Sequence, residues 1–193
     1  MDHAAGLSGL SRRDNEPVDV AAAFLYPDWP RHARRLREAV TGLSDEHLAL
    51  RAGPGHAPVW ALAAHVAGAR VYWVCGVFGE PGAESTPWHE PAGDPGWEDD
   101  ESRPRTAAEL AWALDSSWDV VRHCLENWPI GGLEVAAARK LESGAVQVHS
   151  RGSVLNRLFS HDAFHAGEIS QVLGTHGLSG VDLWAQRPQD QRP

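Results

Sequence analysis

From Ala57 to Gly79 the chain carries only two strongly polar side chains, His65 and Arg70, in an otherwise apolar run. A helix of that composition is apolar on most sides, and it has two places to go: the hydrocarbon of a membrane or the centre of a helical bundle. Arg70 decides between them. It falls near the middle of the run, where insertion into lipid costs about 2.5 to 3.5 kcal/mol, and no basic flank orients the segment. The run is therefore read as a central buried helix. It begins at Pro58, where the missing amide hydrogen costs nothing, and ends near Phe78 before Gly79 and Pro81.

A helix buried on most sides needs partners, and the pattern supplies three. Asp28 precedes Trp29 and Pro30 as an N-cap would, and Ala33, Leu36, Val40 and Leu43 follow at helical spacing, with Thr41-Gly42 closing the element. Thr106-Ala-Ala-Glu109 has the form of a capping box, in which hydroxyl and carboxylate satisfy the first free amides reciprocally; Leu110, Leu114, Val121, Leu125 and Trp128 then form a stripe that Pro129 ends. Ser153 is placed to cap a last helix from Val154 to about Leu173. Before it, Leu133 to Val148 mixes small and β-branched residues around Ser143-Gly144, which predicts a short hairpin. The expected fold is all-α: an antiparallel four-helix bundle with a short β-hairpin before its last helix.

Residues 79–104 break the pattern. They hold five prolines, four glycines and eight acidic residues against one arginine, and so carry −7 of the chain's formal charge of −9. This composition predicts a loop. Trp88 and Trp97 lie inside it, either packing the loop down or folding back over a groove. Residues 1–18 and 185–193 are polar without periodicity and are expected to be flexible, leaving one domain over 19–184. The acidic balance is the wrong sign for a surface that neutralises phosphates, so nucleic acid is not an expected partner. Cys75 and Cys124 form no CxxC pair, and the first residues hold no apolar signal core; a cytoplasmic chain is expected. Both cysteines sit at helical positions where a small buried hydrophobe is the usual reading, not a nucleophile.

Chemistry concentrates in the last helix. His161 and His165 are four residues apart, an offset that an α-helix turns by only about 40°, so both imidazoles can reach one ion. Glu168 lies near the same face as a further ligand, an acceptor behind a histidine, or a general base. Among the other histidines, His65 stands out because it lies between Leu62, Ala69 and Tyr72 on the apolar run and should point inward. A buried imidazole left unpaired costs about 1 to 3 kcal/mol. Two solutions stay open at this point: the three histidines share a metal, or each is a hydrogen-bonded core residue. The other histidines, such as His32, His56 and His149, have no paired spacing and read as solvated or structural.

Three segments, Leu43-Ser-Asp-Glu-His-Leu, Pro54-Gly-His-Ala-Pro-Val-Trp60-Ala-Leu-Ala-Ala-His65 and Gly152 through His161-Asp-Ala-Phe-His165-Ala-Gly-Glu-Ile169, occur in an order and spacing that resembles the DinB/YfiT-like superfamily. That resemblance implies a four-helix bundle holding a divalent metal, zinc or nickel in most members, on His65, His161 and His165. Many members have glutamine where Glu168 stands, which makes an anionic fourth ligand or an extra base an added feature of this chain. Several relatives are transferases or isomerases that use mycothiol, bacillithiol or glutathione. The resemblance thus implies a metal-dependent enzyme that activates a low-molecular-weight thiol toward a small electrophile. Metal-assisted hydrolysis and a non-catalytic metal- or ligand-binding bundle stand as alternatives. A small-molecule substrate is the expected partner, with no membrane, and a homodimer is an open assembly.

Overall fold

The computed structural model describes residues 20–184, so the ends expected to be flexible lie outside the described residues. The first long helix, α1 (Trp29–Thr41), begins where expected, but Asp28 does not cap it with its side chain. Its backbone is helical rather than extended, and its carboxylate pairs with Arg31 at 3.0 Å. A single-turn helix, α2 (Asp45–Leu48), follows, with Ser44 accepting from the His47 amide. The apolar run forms α3 (Val59–Val71), which continues into wider π-helical turns over Tyr72–Val77. The capping box holds as predicted: Thr106 and Glu109 satisfy each other's amides at the start of α4 (Ala107–Asn127).

The hairpin pairs β1 (Ala136–Lys140) with β2 (Val146–Ser150) in antiparallel register, Ala138 opposite Val148. Gly144 takes the left-handed conformation that its turn requires, at φ +83°. The last helix corrects the expectation for Ser153. It is α5 (Arg151–Thr175), and its cap is Ser150, whose hydroxyl accepts from the Ser153 amide at 3.1 Å. The strand runs straight into the helix, so the cap is the final residue of β2, three positions earlier than the composition suggested.

The helix α3 packs along α4 and α5, and α1 packs against the same two helices. Trp29, Trp60, Leu36, Leu114, Leu155, Leu158 and Ile169 fill the space between them. The acidic insert stays irregular apart from single 3-10 turns at Ala83–Ser85 and Trp97–Asp99. Even so, Trp88 is buried in the core. Its ring lies so close to α3 that a Cβ added at Gly68 would stand 3.2 Å away, and this glycine is what lets the insert approach the helix.

One charged network crosses the core. Arg70 of α3 and Asp162 of α5 pair at 2.8 Å with both side chains buried. Trp29 of α1 donates its indole N–H to the same carboxylate at 2.7 Å. The guanidinium also approaches the Leu114 carbonyl and the Ser117 hydroxyl of α4 at 3.4 Å. The arginine that excluded a membrane span is thus the residue that ties the four long helices together. Among the described residues no helix is long and apolar enough to cross a membrane.

Candidate metal centre

The helical offset on α5 and the inward position on α3 bring His65, His161 and His165 together, with one ligand atom from each within 4.8 Å of the others. The Nε2 of His161 lies 3.0 Å from that of His65 and 3.2 Å from that of His165. Nitrogens bound about 2.0 to 2.1 Å from a tetrahedral ion stand about 3.3 to 3.4 Å apart, so these two separations are within a few tenths of an ångström of what one ion requires.

Two carboxylates fix which nitrogens are available. The Nδ1–H of His65 donates to Glu98 at 2.7 Å, and the Nδ1–H of His165 donates to Glu168. Both rings therefore turn an Nε2 lone pair toward His161. The Nδ1 of His161 is buried without a partner among the described residues, so only its Nε2 can engage a ligand, and it carries at most one proton for two facing lone pairs. A proton cannot satisfy all three nitrogens; a divalent cation can. The donor set fits such an ion, since imidazoles backed by carboxylates are the usual arrangement in metal sites.

The electrostatics of His161 and His165 point the same way. Burial, reinforced by His165, His65, Arg70 and Arg157, pushes the His161 pKa down to about 3, which keeps this ring neutral at physiological pH. Burial also lowers that of His165 against the opposing effect of Glu168, while the hydrogen bond from His65 to Glu98 raises its own. The His65 side chain is 42% exposed and opens on a cavity of about 410 Å³, which His161, Tyr72, Trp73 and Trp88 also line. A ligand can therefore reach the cluster.

The model of the DinB superfamily matches residues 29–169. The chain belongs to the DinB superfamily. A crystal structure of a DinB-like protein from Bacillus cereus ATCC 10987 aligns with a TM-score of 0.58 at 20% identity, covering 85% of this chain and 97% of that one. None of the curated proteins matches the chain. The likeness to the Bacillus cereus protein establishes a shared fold. The site in this DinB-like chain rests on its own geometry.

That geometry brings the three sequence-predicted histidines of this DinB member into one cluster and resolves the position of Glu168. Its carboxylate engages Nδ1 of His165, behind the ring, while the Nε2 of that ring faces His161. This is the contact expected of an acceptor behind a histidine. Glu98 is the residue that sequence reasoning missed, because nothing distinguishes it from the seven other acidic residues of the insert. The cysteines take no part: both are buried, and burial pushes the Cys75 thiol up to about 11 and raises that of Cys124.

The Glu98 contact yields a direct expectation. Removing the carboxylate that orients a ligating histidine typically costs 10- to 100-fold in metal affinity. Glu98→Ala is expected to weaken metal binding within that range of about 10- to 100-fold, measured by competition with a chromophoric chelator. An unchanged affinity would remove Glu98 from the site.

Proposed function

We propose that this protein is a divalent-metal-dependent enzyme that activates a low-molecular-weight thiol, of the mycothiol or bacillithiol type, for transfer to or isomerisation of a small electrophile. In this reading the four long helices form an antiparallel four-helix bundle, the metal is zinc or nickel, and the reaction runs in a reducing, cytoplasmic setting. The observation that carries it is the convergence of three Nε2 atoms at the edge of an open cavity, with no carboxylate as a fourth member of the cluster among the described residues.

Three neutral imidazoles leave a bound divalent ion its full charge and a free coordination position, which supplies the Lewis acidity to ionise a thiol near neutral pH. The protein's own residues do the rest. Glu98 and Glu168 hold protons on the Nδ1 atoms of His65 and His165, fixing both rings. Trp88 and Trp73, each largely buried, wall the cavity with apolar surface that limits water beside the site. The position of Glu168 behind His165 favours catalysis over a closed structural site, in which a carboxylate would complete the coordination sphere.

The test is spectroscopic. With cobalt as the ion, adding a thiol is expected to produce an intense charge-transfer band whose formation strengthens toward neutral pH, as thiol binding releases a proton. A cobalt-loaded protein that gives no band with any thiol would defeat thiol activation and leave metal-assisted hydrolysis or ligand binding.

A further inference from the structure

The cavity beside the histidines is bounded on one side by two arginines that no carboxylate of the described residues pairs with. Arg139, on β1, donates its Nε–H to the Tyr72 hydroxyl at 2.6 Å and lies 5.2 Å from the centres of the Tyr72 and Trp73 rings. Arg157, one turn before His161 on α5, lies 4.8 Å from the Trp73 ring. Both line the cavity. Most other arginines differ: Arg31, Arg37, Arg51, Arg70, Arg122 and Arg151 each hold an aspartate or glutamate within 3.1 Å, and Arg35, away from the cavity, is the other arginine with no carboxylate paired to it among the described residues. In a chain where acidic residues outnumber lysine and arginine by 26 to 17, two unpaired arginines on one cavity wall call for an explanation.

The lining also contains Asp94, Glu98 and Asp99, and each of these is already engaged. Asp94 accepts from the Glu90 amide at 2.7 Å, Asp99 from the Gly96 amide at 2.8 Å, and Glu98 from His65. Their partners lie within the insert and at His65, so none of them neutralises the two guanidiniums, and an anionic group inside the cavity finds its N–H donors at the arginines. Because acidic side chains on the lining slightly outnumber the arginines, a singly charged group is favoured over a dianion such as phosphate.

We propose that this cavity binds a small molecule through a carboxylate seated on Arg139 and Arg157, with its body against the rings of Tyr72, Trp73 and Trp88 and its far end toward His65 and His161. The guanidiniums suit this role because each presents fixed N–H donors in the plane of a carboxylate, and stacking on indole and phenol rings holds that plane in place. Tyr72 fixes Arg139 further through its hydroxyl. The cavity volume of about 410 Å³ falls within the range of ordinary small-molecule sites. This deepens the reading above by naming the substrate class, and it rests on that reading only for the chemistry at the other end of the ligand.

Phenylacetate and its neutral amide, phenylacetamide, test it by calorimetry on the full chain, both metal-loaded and chelated. The acid is expected to bind at least tenfold more tightly than the amide in both forms. The Arg139→Gln/Arg157→Gln double variant is expected to lose that preference while keeping its metal content. Arg157→Gln alone, at an exposed position of α5, is expected to lose at least threefold and guards against misfolding of the double variant. No binding of either probe, or a preference that survives the double variant, overturns the proposal. A preference seen only in the metal-loaded form would place the carboxylate on the ion, overturning the proposal while the metal reading stands. A protein that holds no metal but keeps the arginine-dependent preference would do the reverse.

Discussion

Asp162→Ala is expected to cost about 3 to 5 kcal/mol of stability, the usual penalty for removing one partner of a buried ion pair. For a chain of 193 residues this lowers the melting temperature by about 6 to 20 °C. The penalty is large because the substitution strands two groups. Arg70 would keep its charge at a position where its side chain is 1% exposed, with the two 3.4 Å contacts to α4 and the Trp118 ring remaining but no anion. The Trp29 indole would lose its one acceptor, inside the same core. The expected result has a built-in control. Replacing the pair together, as Arg70→Met with Asp162→Leu, removes both charges and should recover most of the loss, because an apolar pair of similar volume is often as stable as a buried ion pair. Thermal and chemical denaturation of the wild type and the two variants measures this. If the single variant melted with the wild type, the network would contribute nothing, and the helices would depend on apolar packing alone.

The network and the histidine cluster show where the sequence was informative and where it was not. Signals that act within a few residues were legible. The box at Thr106 and Glu109, the glycine turn at Gly144 and the offset of His161 and His165 each depend on local geometry that any helix or turn imposes. His65 was legible one step further on, because an imidazole among alanines and valines has to find a partner inside the protein. What remained hidden depends on pairing across the chain. Asp162 looks like an ordinary polar residue between two histidine turns until Arg70, 92 residues away, is placed against it. Glu98 is one acid among eight in the insert until the Trp97–Asp99 turn delivers it to His65. The cap of α5 was misplaced for a smaller reason. Ser150 and Ser153 both suit an N-cap, and only the end of β2 decides which of them leads the helix. The widened turns at Tyr72–Val77 had no marker, since the apolar run continues through them unchanged.

Metal binding is expected to raise the melting temperature of the wild-type protein, and chelation is expected to remove the gain. The ligands come from α3 and α5, far apart in sequence, so the unfolded chain presents no comparable site, and an ion that binds only the native state stabilises it by mass action. At a free concentration about 100 times the dissociation constant this amounts to about 2.7 kcal/mol, or about 5 to 10 °C for a chain of this size. His165→Ala should abolish most of that increment. It removes one of the three Nε2 donors and leaves Glu168 without its histidine, yet it takes no part in the Arg70–Asp162 network. The chelated wild type and the chelated variant should therefore melt close together, and added zinc or nickel should separate them. This contrast distinguishes loss of the site from loss of the fold, which a change in melting temperature alone would not. Asp162→Ala, by comparison, should lower the melting temperature of the chelated protein as well. If His165→Ala still bound one equivalent of metal with unchanged affinity, His165 would be no ligand, and its ring would belong to a hydrogen-bonded cluster instead.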